Sequence, residues 1–183
     1  MIQANLGNAL PTVSTPRRLI YSSRKVTEGE FYFDELKAHL MKFDAPFFVN
    51  IQLDDSRIIN KVEYDSVTDR FVGFCLPIKN GLPTADAFVL QTFEQIKLAV
   101  DKETVGKYAH CIVAKAVDTS VPSFVLFTMC TDSKYDHKQT LQRWNYIEQQ
   151  LSVREVKVIS NGADGAGPFL KAMIMKSNLD GRK

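Results

Sequence analysis

Hydrophobic and polar residues alternate along several short stretches of the chain, and this period of two is typical of β-strands. Six ranges have this pattern or are apolar almost throughout, and we predict a strand in each: 47–53, 58–64, 71–76, 111–117, 124–130 and 153–160. The first strand stops at the acidic pair Asp54-Asp55. The range 124–130 is apolar on both faces, which predicts a central strand that is covered on both sides.

In four other stretches the apolar residues recur at spacings of three and four, which is the period of an α-helix. We predict helices over 28–43, 84–103, 141–151 and 169–176. Thr27 and Glu30 form a capping-box pair at the start of the first helix, and Asp44-Ala45-Pro46 ends it.

The predicted order of elements is helix, strand, hairpin, helix, two strands, helix, strand and helix. A strand pair followed by a crossover helix and a further strand is typical of a mixed β-sheet with helices on its faces. We therefore predict an α/β fold with flanking helices and an inserted β-hairpin. Residues 1–45 form an N-terminal connecting segment and the first helix, and residues 46–183 form the sheet-containing domain.

Composition narrows the class of protein without pointing to a partner. The 183 residues carry a net charge of only +2, so the chain has no polybasic arm for nucleic acid. Its three cysteines are odd in number and widely spaced, which favours a reducing compartment, and no CxxC or Cys/His cluster indicates a zinc site. No apolar run reaches the length of a membrane span, so we expect a cytosolic or nuclear protein without membrane contact.

Aspartates at the ends of two predicted strands are the main candidates for chemistry. Asp54 or Asp55 ends the first strand, and Asp164 lies just beyond the strand over 153–160. If the two strands are neighbours, both carboxylates emerge at one edge of the sheet. Such oxygen ligands suit Mg²⁺, which clamps the attacking and leaving oxygens in two-metal phosphoryl transfer. The same pattern also fits solvated loop acids or, for Asp164, a helix cap.

The other chemistry-bearing residues form no recognisable motif. The loop from Gly162 to Gly167 precedes a helix, where backbone N–H groups favour anions, but its spacing fits no phosphate-binding fingerprint. Three histidines have no nucleophile elbow beside them: His39, His110 and His137. Three further residues are expected in the core: Cys111, Cys130 and Trp144.

Several blocks of the sequence, taken in order, resemble a known family. They include LPTVST at 10–15, EGEF and FDEL between 28 and 36, DDSRI at 54–58, VEYD at 62–65, VGFCLP at 72–77, the range 124–132, LQRW at 141–144, and IS and ADG between 159 and 165. In these blocks the chain is similar to transposase-derived animal proteins of the P-element-type, THAP-associated DNA transposases. The resemblance spans nearly the whole chain.

The resemblance implies a partial RNase H-like fold, with the hairpin inserted after the first strand. In such a core the first metal-binding aspartate ends the first strand and the second ends the fourth, which assigns these roles to Asp54 and Asp164, with Asp55 as the reserve candidate. The implied cofactor is Mg²⁺ or Mn²⁺, the implied partner is DNA, and the implied location is the nucleus. Relative to the family's pattern, Asn161-Gly162 resembles a two-residue insertion, which we expect to move Asp164 away from the strand end.

The family's third carboxylate comes from a helix far downstream, whereas here only Asp180 follows Asp164. We therefore expect a truncated or degenerate transposase core whose ancestral activity was Mg²⁺-dependent DNA strand cleavage and transfer, and which is inactive alone. One alternative is a non-catalytic domesticated module that binds DNA, or a protein partner at an exposed sheet edge. Another is an unrelated α/β domain that binds a small molecule through the loop from Gly162 to Gly167.

Overall fold

A four-stranded sheet with helices against it organises the chain. The computed structural model describes residues 26–134, 136–163 and 167–179, except for the side chains of 178 and 179. Its elements in chain order are α1 (Phe33–Lys42), β1 (Phe48–Arg57), β2 (Glu63–Asp65), β3 (Arg70–Val72), β4 (Ile78–Lys79), β5 (Leu82–Pro83), α2 (Phe93–Lys102), β6 (Tyr108–Ala116), β7 (Phe124–Thr131), α3 (His137–Val153), β8 (Lys157–Ala163) and α4 (Gly167–Leu179). The predicted α/β class is confirmed. The predicted connecting segment over 1–25 and Asp164 lie outside the described residues.

The sheet is mixed, as predicted. Its strand order is β7-β6-β1-β8, in which β1 runs antiparallel to β6 and parallel to β8. The predicted hairpin after β1 is present but short, because β2 and β3 pair only three residues each. A second small hairpin, formed by β4 and β5, was not predicted from the sequence.

One face of the sheet forms the core with α1, α3 and α4. On β1 the alternating residues Val49, Ile51 and Leu53 are almost completely buried, whereas Phe48 and Gln52 on the opposite face are exposed. The helices contribute three sets of buried residues to this core: Phe33, Leu36 and Leu40 from α1, Trp144, Ile147 and Leu151 from α3, and Phe169 and Ala172 from α4. The alternation in β1 therefore defines a covered face and an open face of this strand.

The helix α3 begins earlier than its apolar stripe predicts. Asp136 accepts a hydrogen bond from the backbone N–H of Gln139, and the Gln139 side chain accepts one from the backbone N–H of Asp136. This reciprocal capping box satisfies two of the N–H groups that a helix start leaves without intrahelical partners. The helix then continues to Val153, which we had predicted to open the next strand.

The capping box predicted for the first helix is wrong. Helix α1 begins at Phe33, and Tyr32 at its N-cap makes no side-chain capping bond. The residues before it instead run along the outer edge of β7, where Gly29 N–H donates to the Thr128 carbonyl and Tyr32 N–H to the Leu126 carbonyl. This segment satisfies backbone groups that an edge strand would otherwise leave unpaired.

Two other predictions from hydrophobic pattern fail for reasons of tertiary packing. The strand β7 lies at one end of the sheet rather than at its centre, and its apolar residues contact α1 and the segment before it. The helix α2 covers only 93–102 of the predicted range, and it buries only Ala99. Its apolar stripe is mostly exposed, with Phe93 at 75% and Val100 at 60%. Periodicity identified the helix but could not tell which surface faces the core.

The turn between β4 and β5 requires glycine. Gly81 has a φ of +79°, and a Cβ built there would lie 2.6 Å from the backbone carbonyl oxygen of Gln139. We expect Gly81→Ala to lower the free energy of unfolding by ~2 kcal/mol or more, because strain in the left-handed region adds to this clash. Urea titration measures the change.

The matched control for this substitution is Gly162→Ala in β8. Apart from its two chain neighbours, no atom of the described residues lies within 4 Å of a Cβ built at Gly162, and its φ is not positive. We expect this variant to change the free energy of unfolding by no more than about 1 kcal/mol. Equal destabilisation by both substitutions would contradict the geometry assigned to the turn at Gly81.

Candidate functional site

The two adjacent aspartates of β1 point to opposite faces of the sheet. Strand β1 does not stop at Asp54-Asp55 as predicted, but continues to Arg57 while paired with β6. Asp54 therefore lies within a strand, on the open face, where its carboxylate is exposed and accepts a hydrogen bond from Ser56 Oγ at 3.2 Å. Asp55 points into the covered face, and only 10% of its side chain is exposed.

The neighbour of β1 on its other side is β8, and the two strands are parallel. Their pairing ends at Leu53 opposite Ala163. A cavity of about 340 Å³ lies at this position, lined by Asp54 and Gln52 from β1 and by Gly162 and Ala163 from β8. The first and last strands of the predicted core are thus neighbours, and Asp54 lies where their pairing ends.

The expected displacement of Asp164 from the strand end is wrong. Val49 pairs with Val158 and Asn50 with Ser160, so Ile159 is an extra residue that forms a β-bulge. Beyond the bulge β8 stays in register with β1 through Asn161 and Gly162 to Ala163. Asp164 is therefore the next residue after the last strand residue, although its own position lies outside the described residues.

A buried chain of hydrogen bonds holds Asp55 in place. The Oδ1 atom of Asp55 lies 2.6 Å from Nδ1 of His110, and its Oδ2 atom accepts a hydrogen bond from Ser133 Oγ at 2.9 Å. On the far side of the imidazole ring, Nε2 of His110 lies 2.9 Å from Nη1 of Arg143, whose Nε donates to the Gly81 carbonyl. His110 and Arg143 are both fully buried.

The arginine determines which nitrogen of His110 carries the proton. A guanidinium group can only donate hydrogen bonds, so Nε2 of His110 must accept, and the ring donates from Nδ1 to the Asp55 carboxylate. The hydrogen bonds thus connect the buried guanidinium of Arg143 to the nearly buried carboxylate of Asp55 through the neutral imidazole of His110. Burial, with Arg143 beside the ring, lowers the pKa of His110 below its ordinary value, against the opposing effect of Asp55.

This network was missed in the sequence, although one signal was present. Arg143, Ile147 and Leu151 follow one another at spacings of four, so a cation occupies the apolar stripe of α3. A buried arginine needs a partner, and the candidates were the acids at the end of the first strand. The pattern could not say which of Asp54 and Asp55 faced it.

The cysteines are unsuited to act as nucleophiles or thiolate ligands near neutral pH. Burial raises the pKa of Cys75 to about 11 and that of Cys130 to about 12. Burial also raises the pKa of Cys111, the cross-strand neighbour of Asp54, with a further contribution from the Asp54 charge. Protonated thiols are poor nucleophiles and poor metal ligands.

The described part of the chain supplies one carboxylate to the cavity at Asp54. Within the described ranges no group of three or more histidine, cysteine, aspartate or glutamate side chains is placed to hold a metal ion. The loop that we predicted from Gly162 to Gly167 is not a single loop: Gly162 and Ala163 belong to β8, and Gly167 begins α4. Residues 164–166 between them lie outside the described residues.

Among the helices of the described residues, none is long and apolar enough to cross a membrane.

Comparison with known proteins gives one weak structural similarity. No protein-family model matches the chain, and no curated protein matches it significantly. The Drosophila P element transposase strand transfer complex is similar, with a TM-score of 0.48 and 15% sequence identity over 94% of this chain. The match covers 30% of that chain, so the chain spans less than a third of its length. A similarity this weak does not assign the chain to a family, so a function has to be argued from the geometry of the site.

The buried imidazole generates a pH dependence of stability. The folded protein keeps His110 neutral because its pKa is lowered, whereas the unfolded chain takes up a proton near the ordinary histidine pKa of 6.5. Protonation therefore favours the unfolded state, and we expect the free energy of unfolding to fall as the pH drops from 7 to 5. Urea titrations at several pH values measure the slope.

The variant His110→Gln should be less stable overall and should show a smaller slope over this range, because the titrating group is gone. His39→Gln is the matched control, since His39 is only partly buried and contacts the Pro122 carbonyl. This control should keep the slope of the wild-type protein. An unchanged slope in His110→Gln would show that other groups cause the pH dependence.

Proposed function

We propose that the chain is a transposase-derived RNase H-like domain in which Asp54 and Asp164 bind a divalent cation, Mg²⁺ or Mn²⁺. The ancestral activity is metal-dependent cleavage and transfer of DNA strands in the nucleus, and the chain is inactive alone. The observation that carries the proposal is the parallel pairing of β1 with β8, which ends at Leu53 and Ala163. Asp54 and Asp164 are the residues that follow this last pair.

The geometry favours Asp54 over Asp55 as the ligand from β1. Asp55 already accepts hydrogen bonds from His110 and Ser133 on the covered face. Turning its carboxylate toward the open face would break both of these hydrogen bonds on the covered face, which is costly in a low-dielectric interior. Within the described ranges Asp54 accepts a hydrogen bond only from the exposed Ser56 hydroxyl, and it lines the cavity between the two strands.

The chemistry of this position suits a hard cation with oxygen ligands. Carboxylates are the protein ligands that Mg²⁺ prefers, and the bound ion would polarise phosphate oxygens of a DNA strand. Asp54 and Asp164 would hold the ion, and Gln52 and Phe48 are exposed on the same face of β1 as Asp54. Two carboxylates leave the coordination incomplete, which is why we propose that the chain does not catalyse strand cleavage by itself.

Binding of Mn²⁺ tests the site without requiring activity. We expect Mn²⁺ to broaden the backbone amide NMR signals of residues 52–54 and 162–163, because these residues line the cavity at Asp54. Asp54→Asn and Asp164→Asn should each weaken Mn²⁺ binding about tenfold or more, since each removes one charged ligand.

Asp118→Asn is the matched control, because it makes the same change at an exposed aspartate in the turn between β6 and β7. It should leave Mn²⁺ affinity unchanged. Broadening centred elsewhere, or equal affinity in all three variants, would refute the assignment of Asp54 and Asp164.

A second candidate function is a non-catalytic module that binds a protein partner at the edge of the sheet, or binds DNA. The observation that favours a protein partner is β8, which has a neighbour on only one side within the described residues. Its bulged residue Ile159 is 56% exposed. An edge strand with an exposed apolar residue is a template for pairing with another chain.

Capture of partners from nuclear extract, followed by their identification by mass spectrometry, tests this alternative. We expect a partner that pairs with β8 to be retained by the wild-type chain and by Asp54→Asn, because that substitution lies on another strand. Ile159→Lys should lose it, since a lysine on an edge strand opposes strand pairing. A partner that is lost with Asp54→Asn and kept by Ile159→Lys would exclude the edge of β8 as the binding surface.

A further inference from the structure

Gln52 lies on the same face of β1 as Asp54, two residues before it. Side chains of a strand alternate between its faces, so residues two apart lie side by side, with their Cα atoms about 6.6 Å from each other. Both residues are exposed, and both line the cavity of about 340 Å³ at the end of the pairing between β1 and β8. The wall of this cavity on β1 is therefore a carboxylate next to a carboxamide.

The neighbouring strand leaves the space beside Gln52 unfilled. In the pairing of β1 with β8, the residue opposite Gln52 is Gly162, which has no side chain. The next residue of β8, Ala163, carries only a methyl group and also lines the cavity. Because these two residues are small, a ligand at the end of the pairing has room next to Gln52 as well as next to Asp54.

The side chains of Gln52 and Asp54 are both available to such a ligand. Within the described ranges the Gln52 carboxamide takes part in no hydrogen bond. Asp54 accepts from the Ser56 hydroxyl through Oδ2, which leaves its Oδ1 atom for another partner. Binding a ligand here therefore breaks no interaction of Gln52 and need not break the bond between Ser56 and Asp54.

The chemistry of a glutamine side chain suits a hard cation. Carboxylate and carbonyl oxygens are the protein ligands that Mg²⁺ and Mn²⁺ prefer, and the carboxamide supplies a carbonyl oxygen without a charge. The cross-strand neighbour of Asp54 on the other side is Cys111, whose pKa is raised by burial. Its protonated thiol is a poor metal ligand, so Gln52 is the better candidate beside Asp54.

We propose that the side-chain carbonyl oxygen of Gln52 is a further ligand of the divalent cation held by Asp54. This inference rests on the proposed metal site and adds to it a neutral ligand from the same strand. A neutral ligand raises the number of coordinating oxygens but not the negative charge around the ion. The site should therefore bind the cation more weakly than it would with a carboxylate at position 52.

Titration of the full chain with Mg²⁺, which is diamagnetic, tests the ligation by NMR. The side-chain carboxamide signals of Gln52 should shift saturably, with the same dissociation constant as the backbone amide signal of Asp54. The side-chain carboxamide of Asn50 is the internal control on this face. Its signals should not shift, because Asn50 already accepts a hydrogen bond from Ser160 Oγ and is not part of the cavity lining.

Substitutions at position 52 should change the affinity for Mn²⁺ in opposite directions. Gln52→Ala should weaken binding about threefold or more and Gln52→Glu should tighten it about tenfold, because the number and charge of the ligands set the affinity. Asn50→Asp is the matched control, since it adds the same charge two residues further along the face and keeps the acceptor for Ser160. It should change the affinity by no more than about twofold, because a charge that does not contact the ion acts through screening solvent.

Equal Mn²⁺ affinity of the wild-type chain, Gln52→Ala and Gln52→Glu, with binding still weakened in Asp54→Asn, would overturn this inference and leave the proposed metal site standing. Tightening by Asn50→Asp as strong as that by Gln52→Glu would also overturn it, because the effect would then come from charge alone. Mn²⁺ binding that Asp54→Asn leaves unchanged would contradict the proposed function itself, and the role of Gln52 with it.

Discussion

The hydrogen-bonded chain from Asp55 through His110 to Arg143 is the interaction on which the arrangement of this core depends. It joins β1, β6 and α3, and it extends to the turn at Gly81 and to Ser133 after β7. In a low-dielectric interior an anion or cation without its partner is costly, so these elements are stable only when they come together. Apolar contacts would tolerate small shifts between strand and helix. The hydrogen bonds from Asp55 through His110 to Arg143 do not, because each requires a narrow range of donor–acceptor distances and angles.

The same hydrogen-bond network also determines which residue of β1 lies on the open face. Because successive side chains of a strand point to opposite faces, holding Asp55 inward directs Asp54 outward. Asp54 then lies where the pairing of β1 with β8 ends. The buried network and the candidate metal site therefore depend on two adjacent residues. Asp55 has a structural role on the covered face, and Asp54 is available to a ligand on the open face.

Strand β8 contributes residues to two separate cavities. Its Gly162 and Ala163 line the cavity at Asp54, while Val158 and Asn161 line the cavity against α3 and α4. The bulge at Ile159 keeps the end of β8 in register with β1 and leaves Asn161 on the helical side, bonded to Glu148.

By itself the sequence determined the α/β class, the positions of most strands, and the acids of interest, because period and strand-end chemistry are local properties. It also placed Trp144 in the core, on the helix predicted over 141–151, which the structure confirms. Only the tertiary structure decided that β1 and β8 are parallel neighbours and that both carboxylate oxygens of Asp55 accept hydrogen bonds, from His110 and Ser133. It also decided that the apolar stripe of α2 faces solvent. These outcomes depend on contacts between residues far apart in the chain, and no local pattern specifies which partner a strand edge, a carboxylate or an apolar face will meet.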